Sequence, residues 1–244
     1  MNKKLLLCGL LFSTALINAQ SASAQSVLTD MGVDVSANVG FVSQYSFRGI
    51  AQSDENPALQ GGMDFTHNSG LYAGIWGSNV DFNDGDEASL EVDLYGGYAG
   101  EMNNISYDLG LIYYAYPGAD SSVNYDFIEG AIGAGYDFGT FSTSASLNYS
   151  PEYFGESGDA FYYAAGVDVP LPYDLTASAH IGRQEIDDNT AFGVDDYTDW
   201  SLGLSYNWEG FDLSAQYVDT DLSEPDECAD GCAERLIFGI SKSF

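Results

Sequence analysis

From residue 33 onward, apolar and polar side chains alternate in stretches separated by runs of Gly, Asn, Asp, Ser and Pro. In the first stretch Val33, Val35, Ala37, Val39, Phe41, Tyr45 and Phe47 fall on one side of an extended chain. Asp34, Ser36, Asn38, Gln44, Ser46 and Arg48 fall on the other. In the seventh, Phe141, Thr143, Ala145, Leu147 and Tyr149 alternate with Ser142, Ser144, Ser146, Asn148 and Ser150. A helix cannot separate such sets, whereas a strand does so automatically. The pattern predicts about twelve strands, near 33–48, 58–67, 71–82, 88–99, 105–116, 125–136, 141–150, 159–169, 175–184, 197–208, 211–219 and 234–244. Each is about ten residues long, enough to cross a bilayer when tilted. In the third strand Leu71/Ile75 and Tyr72/Trp76 compete for the outward face, and the sixth is similarly open.

The links between strands alternate in length. Those after even strands are short: His67 to Gly70, Gly100 to Asn104, Asp137 to Thr140, Pro170 to Asp174, and Glu209-Gly210. Those after odd strands are longer and often acidic, as in Ile50 to Pro57, Asn83 to Glu87, Pro151 to Gly158, Glu185 to Asp196, and Thr220 to Ala233. Short turns on one side and long loops on the other mark an outer-membrane barrel. Aromatics at strand ends fit interfacial girdles. Tyr45, Phe47, Tyr113, Tyr149, Tyr163, Trp200 and Tyr217 are expected at the outer rim; Phe65, Tyr98, Tyr107, Tyr136, Phe141, Tyr206, Trp208, Phe211 and Phe244 at the inner one. The expected fold is therefore all-β, a single antiparallel transmembrane β-barrel of about 12 strands with short periplasmic turns and longer extracellular loops. A soluble exported β-sandwich also alternates, but it explains neither the rim aromatics nor the loop asymmetry.

The segment before the strands reads differently. Lys3 and Lys4, the apolar run Leu5 to Ile17 and Ala22-Ser23-Ala24 predict a signal peptide over residues 1–24, cleaved after Ala24, with the barrel over 25–244. Cys8 sits inside the apolar run, not at its end, which disfavours a lipoprotein. The chain carries 37 acidic against 6 basic residues, a formal net charge of −31. Beyond the signal peptide the basic residues are Arg48, Arg183, Arg235 and Lys242. Such a chain does not bind nucleic acid, which needs a basic surface; it suits cations. Cys228 and Cys232 lie in one acidic loop and are expected to form a local disulfide. With no histidine nearby they fall short of a zinc set, and neither metal nor cofactor is expected.

Several blocks resemble a known family. Asn38 to Gly49, with Gln52-Ser53 and Pro57 to Gly61, looks like the opening motif of the TorF-like outer-membrane porins. Gly70 to Phe82, Glu91 to Tyr98, and the ending Ser241-Lys242-Ser243-Phe244 are similar to later blocks. The likeness is strong over about the first third and at the terminus. It implies an outer-membrane protein that forms a pore. The terminal Phe on an amphipathic last strand resembles the signal read by the barrel assembly machinery.

Strand parity places Asp34, Asp64, Glu91, Asp93, Asp108, Glu129, Asp168 and Asp212 on the luminal face, because a carboxylate facing lipid is costly. Acidic rings favour cations, although the same groups could hydrogen-bond across a filled barrel. A barrel of this size lies between filled and wide-open ones, so a narrow or partly occluded pore is expected. Arg48 is expected on the luminal face of strand one, beside Arg235, with Arg183 at the outer end of strand nine. Together they pair with luminal or loop carboxylates, either setting a constriction or acting structurally.

Enzymatic chemistry is not expected. His180 and Ser178 share the luminal face, but no nucleophile motif surrounds them. Asp81 to Glu87 has calcium-loop composition with the wrong offsets for an EF-hand. The leading expectation is passive diffusion of small cationic or neutral solutes. The alternatives are a non-conducting structural or adhesive barrel acting through its loops, and less favoured a barrel hydrolase. The expected partners are outer-membrane lipids, lipopolysaccharide and the assembly machinery; homo-oligomers are left open.

Overall fold

The computed structural model describes residue 28 and residues 30–83, 85 and 88–244. The expected signal peptide lies outside the described residues. The strands are β1 (Val33–Val42), β2 (Ser46–Phe47), β3 (Ile50–Ala51), β4 (Ala58–His67), β5 (Leu71–Asn79), β6 (Leu90–Met102), β7 (Ile105–Ala115) and β8 (Phe127–Asp137). They continue with β9 (Ser142–Ser150), β10 (Ala160–Leu171), β11 (Leu175–Ile186), β12 (Tyr197–Trp208), β13 (Phe211–Thr220) and β14 (Arg235–Ser243).

Twelve of these strands form one closed antiparallel barrel in chain order, from β1 and β4 round to β14. β14 pairs back onto β1, from Asn38↔Ser243 to Val42↔Gly239. Closure gives each barrel strand a partner on both sides, so the wall satisfies its ladder groups without water. β2 and β3 stand apart as a hairpin paired only with each other.

The outward positions are apolar. Phe41, Leu59, Leu109, Leu202 and Leu236 are exposed large hydrophobics on the strands, Leu109 and Leu202 in their middles. In β5 Leu71 and Ile75 face outward while Trp76 is buried inside; in β8 Ile128 and Ile132 face outward while Phe127 and Glu129 are inside. A continuous apolar exterior on a closed barrel is the form stable in lipid. Tyr98, Tyr107, Tyr136, Trp208, Phe211 and Phe244 are exposed near the short-turn end. There the Lys242 ammonium lies 4.4 Å from the Phe211 ring centroid and 5.8 Å from that of Phe244, so its stem crosses the girdle and its charge reaches the rim. No helix among the described residues is long and apolar enough to cross a membrane.

The short turns follow from their residues. Trp208 pairs with Phe211 across Glu209 and Gly210, which have φ of 51° and 82°. Two successive left-handed residues make the tight turn whose twist suits a hairpin, and Gly210 adopts that backbone without strain.

One expected element is corrected. Strand one does not run to residue 48; β1 stops at Val42, and residues 43–57 turn inward as a loop carrying β2 and β3. Tyr45 and Phe47 are therefore not outer-rim aromatics. Tyr45 is buried inside with Trp76, Tyr114, Tyr116, Phe127 and Tyr153, and Phe47 packs against the same cluster. The alternation continued through residues 43–48, but alternation describes two faces of a local chain and does not say whether the chain stays in the wall.

Candidate functional site in the barrel lumen

The inward loop crosses the lumen at the long-loop end. Near its start, the Tyr45 hydroxyl donates to Glu91 Oε1 of β6 at 2.8 Å. At its tip, Arg48 and Gly49 have φ of 48° and 83°. A side chain at Gly49 would meet Thr220 Cγ2 at 2.5 Å and Asp199 Cβ at 2.8 Å, so the tip touches β13 and β12, which lie on the other side of β1 from β6. On its return, Ala51 N–H donates to the Gly231 carbonyl and Asp81 N–H donates to the Gln52 carbonyl, each at 2.8 Å.

Arg48 is held by the wall. Its Nη2 donates to Glu129 Oε2 of β8 at 2.7 Å and its Nη1 to Gln184 Oε1 of β11 at 2.8 Å. The guanidinium carbon lies 4.2 Å from the Tyr162 ring centroid, 4.7 Å from that of Phe47 and 5.9 Å from that of Tyr153. Glu129 Oε2 also accepts from the Tyr114 hydroxyl and Asn148 Nδ2, each at 3.3 Å. Such a carboxylate, bonded from several sides and paired with a permanently charged guanidinium, satisfies the conditions under which a buried ion pair persists.

The luminal carboxylates share a second pattern. Besides Tyr45 and Tyr114, Tyr162 donates to Asp199 at 2.9 Å, Tyr72 to Asp108 at 3.0 Å and Tyr95 to Asp64 at 2.5 Å. The Tyr95 ring fills the space a Cβ at Gly74 would take. The glycine lets that ring lie along the wall without projecting across the bore.

The expected site residues are dispersed as follows. Glu91, Asp93, Asp108 and Glu129 are buried inside the barrel. Asp93 Oδ1 has no hydrogen-bond partner among the described residues. Asp64 is half-buried, Asp34 and Asp168 are exposed, and Asp212 accepts from Asn207 Nδ2 at 2.8 Å near the short-turn end. Arg48 is luminal as expected but rides on the inward loop, not on strand one. Arg235 takes other partners: its Nε donates to the Ala233 carbonyl at 2.9 Å and its Nη2 to the Gly231 carbonyl. The β13–β14 loop folds back over β14 and captures it first. Arg183 lies 3.9 Å from Asp221, both half-exposed.

Cys228 and Cys232 form a disulfide. Glu224, near both sulfurs, accepts from the backbone N–H groups of Cys232 at 2.6 Å and Ala233 at 2.9 Å. That carboxylate is engaged in capping the loop, and bonded sulfurs are not thiolate ligands. His180 Nε2 lies 2.9 Å from the Tyr162 hydroxyl and 3.2 Å from Asp199 Oδ1, so its partners are a phenol and a carboxylate, not Ser178. Gln184, Tyr153, Tyr162 and Asp199 went unnoticed in the sequence. The signal that could have found the strand residues is parity: Tyr162 and Asp199 adjoin the outward Tyr163 and Trp200, and Gln184 shares its strand face with the luminal His180. Nothing local to the sequence identified the loop residue Tyr153.

These features define a twelve-stranded barrel with an apolar exterior, a carboxylate-bearing interior and an inward loop. The chain belongs to the Gcw_chp family, bacterial proteins of unknown function, whose sequence profile matches residues 26–244. No functionally curated protein has significant sequence similarity to it. Among solved structures, the NanC porin in a rhombohedral crystal form is similar at a TM-score of 0.56 and 12% identity, covering 86% of this chain and 99% of that one. A membrane protein solved to study in-meso crystallization is similar at a TM-score of 0.53 and 11% identity, covering 86% and 83%. At such identities the likeness is one of fold.

Proposed function

We propose that the protein is a channel of the bacterial outer membrane, exported behind a leader over residues 1–24, which passes small cationic or neutral solutes by diffusion. The observation that carries this reading is the interior of the closed barrel. Glu91, Asp93, Asp108, Glu129 and Asp199 are buried there, and Arg48 is the cation set among them. Inward carboxylates raise the local concentration of cations and oppose anions, without covalent chemistry. The apolar exterior supports residence in lipid, and the resemblance to TorF-like porins agrees. Lipids and lipopolysaccharide surround the wall and loops, and the last strand presents the terminal Phe to the assembly machinery. The inward loop is the constriction.

The test is conductance of refolded protein in a planar bilayer under a salt gradient. Stepwise currents with a reversal potential favouring cations are expected; an anion-favouring potential overturns the selectivity. A second reading, a non-conducting barrel acting through its loops, is favoured by one observation. Phe82, Tyr116, Tyr125, Phe154 and Phe192, from four long loops or their borders, pack on the cluster holding Tyr45. A silent bilayer from folded protein supports that reading.

A further inference from the structure

Arg48 is bound as a ligand is bound. Its guanidinium has a carboxylate at one nitrogen, an amide oxygen at another and an aromatic ring against its face. The amide is oriented for this, because Gln184 Nε2 donates to the Phe161 carbonyl at 3.3 Å and leaves Oε1 toward the guanidinium. Planar bidentate recognition with ring stacking is the chemistry that distinguishes guanidinium from ammonium. Arg48 Nε has no partner among the described residues, so the bonded nitrogens are the two terminal ones that any monosubstituted guanidinium offers.

The pocket does not belong to the segment that fills it. Glu129, Tyr162 and Gln184 lie on β8, β10 and β11 of the barrel wall, and Tyr153 lies in the β9–β10 loop. Only Phe47 comes from the hairpin. That hairpin shares no ladder with the barrel: β2 and β3 pair with each other over Ser46↔Ala51 and Phe47↔Ile50. Withdrawing Arg48 therefore breaks side-chain and loop contacts while the wall that forms the pocket stands. Next to the pocket, Tyr162 also bonds Asp199 and His180, whose side chain is 36% exposed. Solvent reaches the wall there.

We propose that Glu129, Gln184, Tyr153 and Tyr162 form a binding site for guanidinium-bearing organic cations, and that Arg48 occupies it as a tethered ligand which an incoming cation displaces. This names a solute class for the channel proposed above and rests on that reading only for transport; binding stands by itself. A tethered competitor acts at a high effective concentration, so the intact protein binds the free cation more weakly than a protein whose tether lacks the guanidinium.

The experiment is calorimetric titration of refolded, detergent-solubilised protein with methylguanidinium chloride, with methylammonium chloride as comparator at equal ionic strength. Arg48→Ala is expected to bind methylguanidinium at least about tenfold more tightly than the unaltered protein. Adding Glu129→Gln to Arg48→Ala is expected to abolish binding, and methylammonium is expected to bind more weakly throughout. Arg48→Met, which keeps the packing of the stem, replaces Arg48→Ala if the latter does not give a heat-modifiable barrel. Equal affinities with and without Arg48, no binding by a folded Arg48 variant, or equal binding of methylammonium each overturn the site. Bilayer recordings separate the two proposals. Conducting protein whose Arg48 variants do not bind overturns the site and leaves the channel, while binding by protein that is silent in bilayers does the reverse.

Discussion

Arg48 and Glu129, 81 positions apart in the chain, meet at 2.7 Å with both side chains 1% exposed. The contact joins a loop to a wall, so it decides where the loop sits and not whether the barrel forms.

Glu129→Gln leaves the Arg48 charge without its counter-charge. Removing one partner of a buried pair costs about 3–5 kcal/mol, and expelling the hairpin relieves that cost without breaking a barrel ladder. The expected result is faster proteolysis within residues 43–57 and larger single-channel conductance, with unchanged heat-modifiable mobility. A variant that loses the barrel itself contradicts this division.

Gly74→Val places a side chain where the Tyr95 ring lies. The ring must leave Asp64 and swing into the bore. Overpacking of this kind costs about 1–3 kcal/mol. A lower urea midpoint together with reduced conductance is expected; a lower midpoint alone indicates that the ring found another place on the wall.

Leu202 is exposed in the middle of β12. Leu202→Arg is expected to destabilise the barrel in lipid vesicles by about 2–4 kcal/mol, the cost of a cation facing the mid-bilayer. Ser146→Arg, on the luminal side of β9, is expected to cost less. Equal effects in refolding titrations argue against a lipid-facing surface.

The disulfide closes a short loop, Cys228 to Cys232, with a sequence separation of 4. Constraining so short a segment stabilises the whole by about 2 kcal/mol or less. Its neighbours are more informative: Ile50 of the hairpin packs beside Cys228 and Cys232, and Ala51 bonds Gly231. Cys228→Ser is expected to lower the unfolding midpoint only modestly while increasing cleavage within residues 43–57.

Period-two alternation made the barrel legible, because one buried or lipid-facing side of each strand forces it. Glu129 and Asp93 were placed inside for the same reason: a carboxylate facing lipid is too costly to leave the choice open. The route of residues 43–57 was not legible. Tyr45 and Phe47 look the same as a lipid-facing girdle and as a luminal filling, since both environments accept an aromatic ring. What separates them is the contact with Glu91, Thr220 and Asp199, and those partners come from strands far along the chain. Arg235 was misplaced beside Arg48 by the same limit, because register put the two strands together but said nothing of the loop that claims the guanidinium.

The seam between β1 and β14 has a consequence for biogenesis. It joins residues 38–42 to residues 239–243, about 200 positions away, so the ladder closes by its least local contact, and contacts of this range form slowly. Until then β1 and β14 each present an unpaired edge, able to join a neighbouring chain. The interval between synthesis and closure is thus when this molecule is most exposed to aggregation, and a chaperone or insertase shielding those two edges has its greatest effect there.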